Sequence, residues 1–230
     1  DYRGRQRVMS DVNVNVTYNG PLVVAVSHMS ASASEIVAAA LQDHGRAVIV
    51  GGKTTHGKGT VQQLLPLNRS FIANLAEDSG QFKFTISKFY RINGATTQRD
   101  GVTADIALPS IMDYLGTSEG ELPRALEAAR IAEAEYKSLD QVSGFFTSLR
   151  RASSKRIKTD QDYKYILEDI ARAIERKENP SISLNEASRR KERNENKDRI
   201  EARNKEHADR AFPKESYYEI DIKGAQANKP

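Results

Sequence analysis

The sequence has 230 residues, enough for one large domain or for a compact domain followed by a helical segment. Apolar residues make up 38% of the chain and charged residues 29%, so part of the chain cannot lie in a core. The absence of cysteine excludes disulfides, a thiol nucleophile and thiolate metal sites. No apolar run approaches the roughly 18 residues of a membrane span, so none is expected in this chain.

The net charge of +4 is a small surplus spread over both halves. Residues 1–115 carry 11 basic and 9 acidic side chains, whereas residues 116–230 carry 24 and 22. A nucleic-acid-binding protein usually concentrates its basic residues on one patch. This even distribution therefore argues against a nucleic-acid partner.

The first half of the chain mixes buried-strand patterns with one amphipathic helix. A helix is predicted over Ser34–His44, where Gly45 provides the C-terminal stop. Short apolar or alternating runs between turn residues predict strands. The predicted strands are Val12–Tyr18, Leu22–Val26, Ala47–Val50, Thr60–Leu67 and Phe82–Tyr90. This order is typical of an α/β fold.

After residue 115 the strand signal disappears. Helical spacing predicts helices over Leu122–Ser138, Asp162–Lys177 and Asn185–Ala211. The last of these has 9 basic and 6 acidic residues among positions 187–211, which favours a solvated helix with i,i+4 pairs over a partner-binding or nucleic-acid helix. We therefore divide the chain into a core at 1–115, a charged helical domain at 116–211 and an irregular tail at 212–230.

One candidate for chemistry is the glycine-rich segment Gly52–Gly59, which follows a predicted strand and fits the opening of a phosphate-binding P-loop. It departs from that motif because Gly59 stands where a Ser or Thr would ligate Mg²⁺. The following residues also read as a strand, so no helix N-terminus is expected to hold a phosphate. Nucleotide binding is therefore disfavoured.

A second candidate is the run Ser30–Glu35, which lies between a predicted strand and a predicted helix. A hydroxyl at this junction sits beside the free N–H groups of the helix start, and that environment can stabilise an oxyanion. Serine is also the ordinary helix cap, so the turn alone does not establish a nucleophile.

A serine nucleophile needs a base, and none of the four histidines lies in a recognisable triad motif: His28, His44, His56 and His207. The remaining candidate is Lys58, which lies between two glycines. A lysine in a dry site favours its neutral amine, which can accept a serine proton. Gln62 lies four residues on and could orient that amine, although a lysine between glycines is more often a surface turn.

Several motifs together resemble the C-terminal processing peptidases, and more narrowly their tail-specific, Prc-type branch. The motifs are SASASE at 30–35, GKGTVQQ at 57–63, KFYRING at 88–94 and TQRDGVTADI at 97–106. The resemblance extends from about Pro21 to about Arg210, and it includes Ile182–Asn185 and the charged helix that follows.

The resemblance implies an α/β core of ClpP/crotonase type with a Ser/Lys dyad and no cofactor. Ser32 corresponds to the nucleophile, Ala33 supplies an N–H group to the oxyanion hole, Lys58 is the general base and Gln62 its orienting partner. Ser30 and Ser34 are then expected to be turn and cap residues.

Two departures from the family accompany this assignment. The segment 51–56 contains one residue more than is usual, which could displace Lys58 or be absorbed in the loop. The family's PDZ domain and its Gly-rich oxyanion segment would lie before Asp1, and the chain lacks an initiator Met. We therefore expect a piece of a longer protein, with weak or no activity alone.

The resulting prediction is a periplasmic serine endopeptidase that cleaves envelope proteins recognised by their apolar C-termini. An adaptor or self-association is possible in such a system. The alternative is a catalytically inactive scaffold that binds partners through the core and the C-terminal helices. Acyl-CoA chemistry of crotonase type would require a substrate-binding signature that the sequence does not contain.

Overall fold

The computed structural model describes residue 13 and residues 15–67 and 80–211. The chain forms two compact units, one up to Asn179 and the other from Pro180. The first unit contains the strands β1 to β5 and the helices α1 to α3, and the second contains α4. The compositional boundary near residue 115 remains a sequence-based prediction.

Three parallel strands form the central sheet in the order β1, β2, β5. Strand β1 spans Val23–Val26, β2 spans Val48–Gly51 and β5 spans Ile106–Ala107. Val23 is paired with Val48, and Val50 with Ile106. Helix α1, Ala33–Asp43, connects β1 to β2. The sequence therefore predicted β1, β2 and α1 correctly, to within two residues at each end.

Side chains pack on both faces of the sheet. Ala38 and Ala39 of α1 lie in one buried cluster with Val26 and Ile49. A second cluster contains Val48, Ile106 and Val142, and Phe146 packs against it. Strands of parallel sheets are commonly continuous apolar runs, as β1 and β2 are. The mixed α/β core that was predicted is thus confirmed.

A second, two-stranded antiparallel sheet pairs β3, Thr60–Pro66, with β4, Gln81–Lys88. Both strands agree with the prediction to within two residues. The ribbon has a register irregularity between Val61 and Gln62. Its exposed faces carry apolar side chains such as Leu64 and Phe82.

Helices follow the core. Helix α2 spans Phe146–Thr159 and was not predicted, whereas α3, Gln161–Glu178, was. Ile170, expected on the apolar face of α3, is 7% exposed. The Asp160 side chain caps α3 by accepting hydrogen bonds from the Asp162 and Tyr163 N–H groups.

The unit from Pro180 contains helix α4, Glu186–Asp209, whose residues are almost all exposed. Pairs at i,i+3 and i,i+4 line it, among them Arg190 with Glu186 and Lys197 with Glu201. This is the solvated helix that the charge pattern favoured. None of the helices in the described ranges is long and apolar enough to cross a membrane.

The predicted helix Leu122–Ser138 is wrong. This stretch contains no helix or strand, and a short 3₁₀ helix at Glu119–Glu121 precedes it. Its backbone groups are used in tertiary contacts instead: the Ile131 and Ala134 N–H groups donate to the Gly94 and Ile92 carbonyls. Contacts with the core thus override the helical propensity of the segment.

Two sequence predictions concern residues outside the described ranges. The tail 212–230 lies wholly outside them. The predicted strand Val12–Tyr18 lies partly outside, and its residues 15–18 are not in a strand.

A buried ion pair ties the end of α1 to the segment after β4. The Arg91 guanidinium donates to both carboxylate oxygens of Asp43, at 2.5 and 3.0 Å, and to Gln42 Oε1 at 2.9 Å. The two charged side chains are 17% and 9% exposed. Gln42 in turn donates to the Thr103 carbonyl and to Asp105, which extends the network to β5.

We expect Arg91→Met to destabilise this chain by about 3 kcal/mol, because it leaves the Asp43 carboxylate buried without its cation. Urea unfolding followed by far-UV circular dichroism measures this change. Arg130→Met is the control, since Arg130 donates to the Asn93 carbonyl at an exposed site. Equal unfolding midpoints for the two variants would contradict the assignment of a stabilising pair.

Candidate active site

Ser32 occupies the turn between β1 and α1 in a strained backbone conformation. Its φ of 57° and ψ of −113° are rare for a residue with a side chain and cost on the order of 1–3 kcal/mol. A strained strand-to-helix turn of this kind presents the nucleophilic serine in α/β-hydrolases. Ser32 itself is the N-cap, so Ser34, expected to be a cap, lies in the first turn of the helix instead.

Ala33 is the first helical residue and is exposed. Its N–H group has no carbonyl acceptor within α1, as for every amide of a first helical turn. The positive end of the helix dipole reinforces its preference for a negatively charged partner. An oxyanion that forms next to Ser32 could accept this hydrogen bond.

Lys58 is half-buried and lies in the loop between β2 and β3. The preceding Gly57 has a φ of +95°, and a Cβ atom there would lie 2.7 Å from the Arg99 carbonyl oxygen. Only glycine fits this position without displacing the neighbouring backbone. The close approach of the Arg99 backbone thus explains why the residue before Lys58 is glycine.

Hydrogen bonds hold the part of this loop in which an additional residue was expected. The Ala104 N–H group donates to the Lys53 carbonyl at 3.1 Å, and the Thr55 N–H group to the Val102 carbonyl at the same distance. The His56 N–H group donates to the Ser30 carbonyl at 2.9 Å. The loop is therefore fixed both to the 102–104 segment and to the serine turn.

The carboxylate of Glu35 connects the serine turn with the Lys58 loop. Glu35 is fully buried and accepts four hydrogen bonds. Its Oε1 accepts from Thr55 Oγ1 at 2.5 Å and from the Gly57 N–H group at 2.7 Å. Its Oε2 accepts from the Ser32 N–H group at 2.8 Å and from the Lys58 N–H group at 2.9 Å.

Because Ser32 and Lys58 donate to the same oxygen atom, their backbone nitrogens are no farther apart than those two distances combined. The carboxyl ends of β1 and β2 also lie side by side in the sheet, and each strand leads into one of the two segments. In open α/β sheets this edge is where ligands bind. The fold therefore brings the predicted nucleophile and the predicted base together.

Gln62 lies in β3, is exposed, and is paired with Thr85. A residue four positions after Lys58 shares its face only within one uninterrupted strand or helix. Lys58 precedes β3, and the irregularity between Val61 and Gln62 interrupts that alternation. The orienting role of Gln62 thus remains a prediction.

The P-loop alternative has no helix to support it. The residue after Gly59 begins β3, so the glycine-rich segment leads into a strand and not into a helix N-terminus. Without those free N–H groups the loop lacks the phosphate cradle that a P-loop requires.

Two histidines and several carboxylates lie beside the serine turn. The buried His28 ring contacts the His56 ring edge-on, with centroids 6.3 Å apart, and His56 Nε2 lies 3.7 Å from the Glu119 carboxylate. A cavity of about 190 Å³ borders His28 and Glu121. Hydrogen bonds from the Ser118 hydroxyl and N–H groups lower the pKa of Glu121. Among the described residues no group of three or more such side chains could hold a metal ion.

Two buried side chains at this site, Glu35 and Gln98, were not predicted from the sequence to have a role. A local signal for Glu35 exists, because Ser32 followed three residues later by Glu35 is a capping-box pattern. Its bonds to residues 55–58 could not be read from that pattern. Gln98 accepts a hydrogen bond from Gly59, which is 39 positions away in sequence, and has no local signal.

Comparisons with known proteins agree with these observations. Residues 1–108 match the model of Peptidase family S41, and residues 112–229 match that of the C-terminal domain of tail specific protease (DUF3340). The chain is 38% identical to a Haemophilus influenzae tail-specific protease over 82% of this chain and 27% of that protein. It is 39% identical to a Bartonella bacilliformis carboxy-terminal-processing protease over 41% of this chain and 19% of that one.

Among solved structures, the chain is similar to a photosystem II D1 C-terminal processing protease. The identity is 34% and the TM-score 0.32, over 38% of this chain and 20% of that chain. The chain spans about a quarter of the length of the Haemophilus relative. One family model covers more than half of the chain, and the other covers most of the rest. The chain therefore belongs to the tail-specific protease family.

Proposed function

We propose that this chain carries the catalytic residues of a serine endopeptidase of tail-specific type. The observation that supports this most strongly is the single Glu35 oxygen that binds the N–H groups of both Ser32 and Lys58. In a Ser/Lys dyad, a buried carboxylate of this kind would hold the strained serine close to the half-buried lysine. In a purely structural turn the strain at Ser32 would have no evident purpose.

In the proposed mechanism, the neutral amine of Lys58 accepts the proton of the Ser32 hydroxyl as its oxygen attacks the scissile carbonyl. The Ala33 N–H group stabilises the resulting oxyanion. The protonated amine then gives its proton to the leaving amine as the C–N bond breaks, which leaves an acyl-enzyme. Water hydrolyses that ester with Lys58 again as base, and Gln62 orients the amine.

The substrates we propose are envelope proteins with apolar C-termini, and the proposed location is the periplasm. Both proposals rest on the family to which the chain belongs. The full-length protein would select its substrates by the tail, which a segment outside residues 1–230 would bind. An adaptor, or self-association of the full-length protein, would act on this selection of substrates.

We expect the full-length protein to cleave a model substrate with an apolar C-terminal tail about 10- to 100-fold faster than the same substrate with an aspartate-rich tail. Burial of one or two apolar side chains supplies a free energy of that size. Initial rates of cleavage, resolved by gel electrophoresis, measure the ratio. Addition of a chelator should leave both rates unchanged, because the proposed mechanism uses no metal.

Equal rates for the two tails would show that recognition of apolar C-termini is wrong. Capture of both substrates without any cleavage would instead support the alternative of an inactive scaffold.

A further inference from the structure

The three consecutive backbone N–H groups at Gly57, Lys58 and Gly59 are all bound by buried side chains. Glu35 accepts the first two. The third donates to Gln98 Oε1 at 2.9 Å. Gln98 is fully buried, so this bond is sheltered from competing water.

The orientation of the Gln98 carboxamide is determined by its other partners. Its Nε2 donates to Glu119 Oε1 at 3.0 Å and to the Leu126 carbonyl at 3.2 Å. Both of these partners are acceptors, so the amide nitrogen must face them and the amide oxygen must face Gly59. Gln98 thus has one arrangement that satisfies its hydrogen-bonding groups.

The backbone of residues 96–99 also packs directly against the Lys58 loop. A Cβ atom at Gly59 would lie 2.5 Å from the Gln98 nitrogen, which shows how close the two backbones are. The Arg99 N–H group donates to the Gly57 carbonyl at 2.7 Å. The loop therefore lies between Glu35 on one side and the Gln98 segment on the other.

We propose that Gln98 is a positioning residue for the Lys58 amine. The reason is the conformational freedom of glycine, which adopts many backbone conformations that other residues do not. With glycine on both sides, the direction of the Lys58 side chain depends on hydrogen bonds from outside the loop. A general base must lie within about 3 Å of the oxygen whose proton it accepts, so a small rotation of this backbone removes it from reach.

This inference rests on the proposed function, because it assumes that Lys58 acts as the base. The first test is Gln98→Met in the full-length protein, a change that keeps the volume and removes the acceptor. We expect kcat to fall about 10- to 100-fold while KM changes little, as for a catalytic group moved by a fraction of an ångström. Gln81→Met is the matched control, because Gln81 is an exposed residue of β4.

A comparison of folded fractions separates positioning from loss of folded protein. Far-UV circular dichroism at the assay temperature measures the folded fraction of each variant. We expect Gln98→Met to keep the folded fraction of the parent while its kcat falls. A folded fraction that falls by the same factor as kcat would instead show partial unfolding, and that result would overturn the proposal.

A second variant keeps the test informative if Gln98→Met does not fold. Gln98→Glu retains an acceptor for Gly59 but brings a carboxylate against Glu119. In the double variant Gln98→Glu/Glu119→Gln, the exchanged groups can hydrogen-bond again. We expect the single variant to lose kcat as Gln98→Met does, and the double variant to recover most of it. A double variant with no more kcat than the single variant would overturn the proposal.

Ser32→Ala, assayed alongside, distinguishes the two levels of inference. If Ser32→Ala is inactive while Gln98→Met matches the parent in kcat, the role of Gln98 is wrong and the proposed function stands. If Ser32→Ala retains normal turnover, the proposed function is wrong, and the role of Gln98 is rejected with it.

Discussion

Ser32→Ala and Lys58→Ala in the full-length protein are each expected to lower kcat for peptide cleavage by at least about 10⁴-fold. The first change removes the nucleophilic oxygen, and the second removes the amine that accepts its proton. Lys58→Arg should fail as well, because an arginine stays protonated in a protein. Active-site variants are compared by their initial rates on one fluorogenic peptide with an apolar C-terminus.

Two substitutions nearby serve as controls. Ser34→Ala removes an exposed hydroxyl from the first turn of α1, and Lys53→Ala removes an exposed amine from the Lys58 loop. Both should retain turnover close to that of the parent.

Histidine is the ordinary base for a serine nucleophile, and His56 lies two residues before Lys58. Normal turnover by Lys58→Ala together with loss of activity in His56→Gln would replace the Ser/Lys dyad by a Ser/His pair. The opposite result would agree with the assignment to Lys58.

The elements that could be predicted from sequence are those determined by their own residues. β1 and β2 are continuous apolar runs, of which β2 is buried or half-buried throughout, and α1 has alanines on the side that meets the sheet. The glycines around Lys58 also marked an unusual turn, and the structure gives a steric reason for each of them. At these positions the local sequence was sufficient for the prediction.

The features that could not be predicted depend on contacts between distant parts of the chain. Residues 122–138 have helical composition, but their N–H groups bond to the 92–94 turn, and the Leu139 N–H group bonds to the His44 carbonyl at the end of α1. Such contacts override local propensity and leave no periodic signal. The side chains that bind the Lys58 loop could not be predicted for the same reason. Glu35 lies 23 positions from Lys58, and Gln98 lies 39 positions from Gly59.

Glu35→Gln is expected to reduce both activity and stability. A glutamine has one acceptor oxygen, whereas the Glu35 carboxylate accepts from four donors with two oxygens. The new amide group would point N–H groups at two N–H or O–H donors in a fully buried site. Leaving buried donors unsatisfied costs about 1–3 kcal/mol each, so we expect the free energy of unfolding to fall by about 2–5 kcal/mol.

The loss of activity in Glu35→Gln should exceed what unfolding explains. Whichever oxygen is replaced, one of two links breaks: the bond shared by Ser32 and Lys58 through Oε2, or the bond to Gly57 through Oε1. Either break lets the two catalytic segments move relative to each other. Misplacement by about 1 Å can cost about 10²-fold in rate, so kcat should fall at least that far under conditions where the variant is folded.

Glu121→Gln is the matched control for this prediction. Its carboxylate also accepts a hydrogen bond from the N–H group of a serine three residues before it, Ser118, but at an exposed site. Water can replace a lost partner there, so stability and kcat should both stay near the parent values. Urea unfolding of this chain and turnover of the full-length protein are the two measurements. If Glu35→Gln matched Glu121→Gln in both, the Glu35 carboxylate would not be what holds Ser32 and Lys58 together.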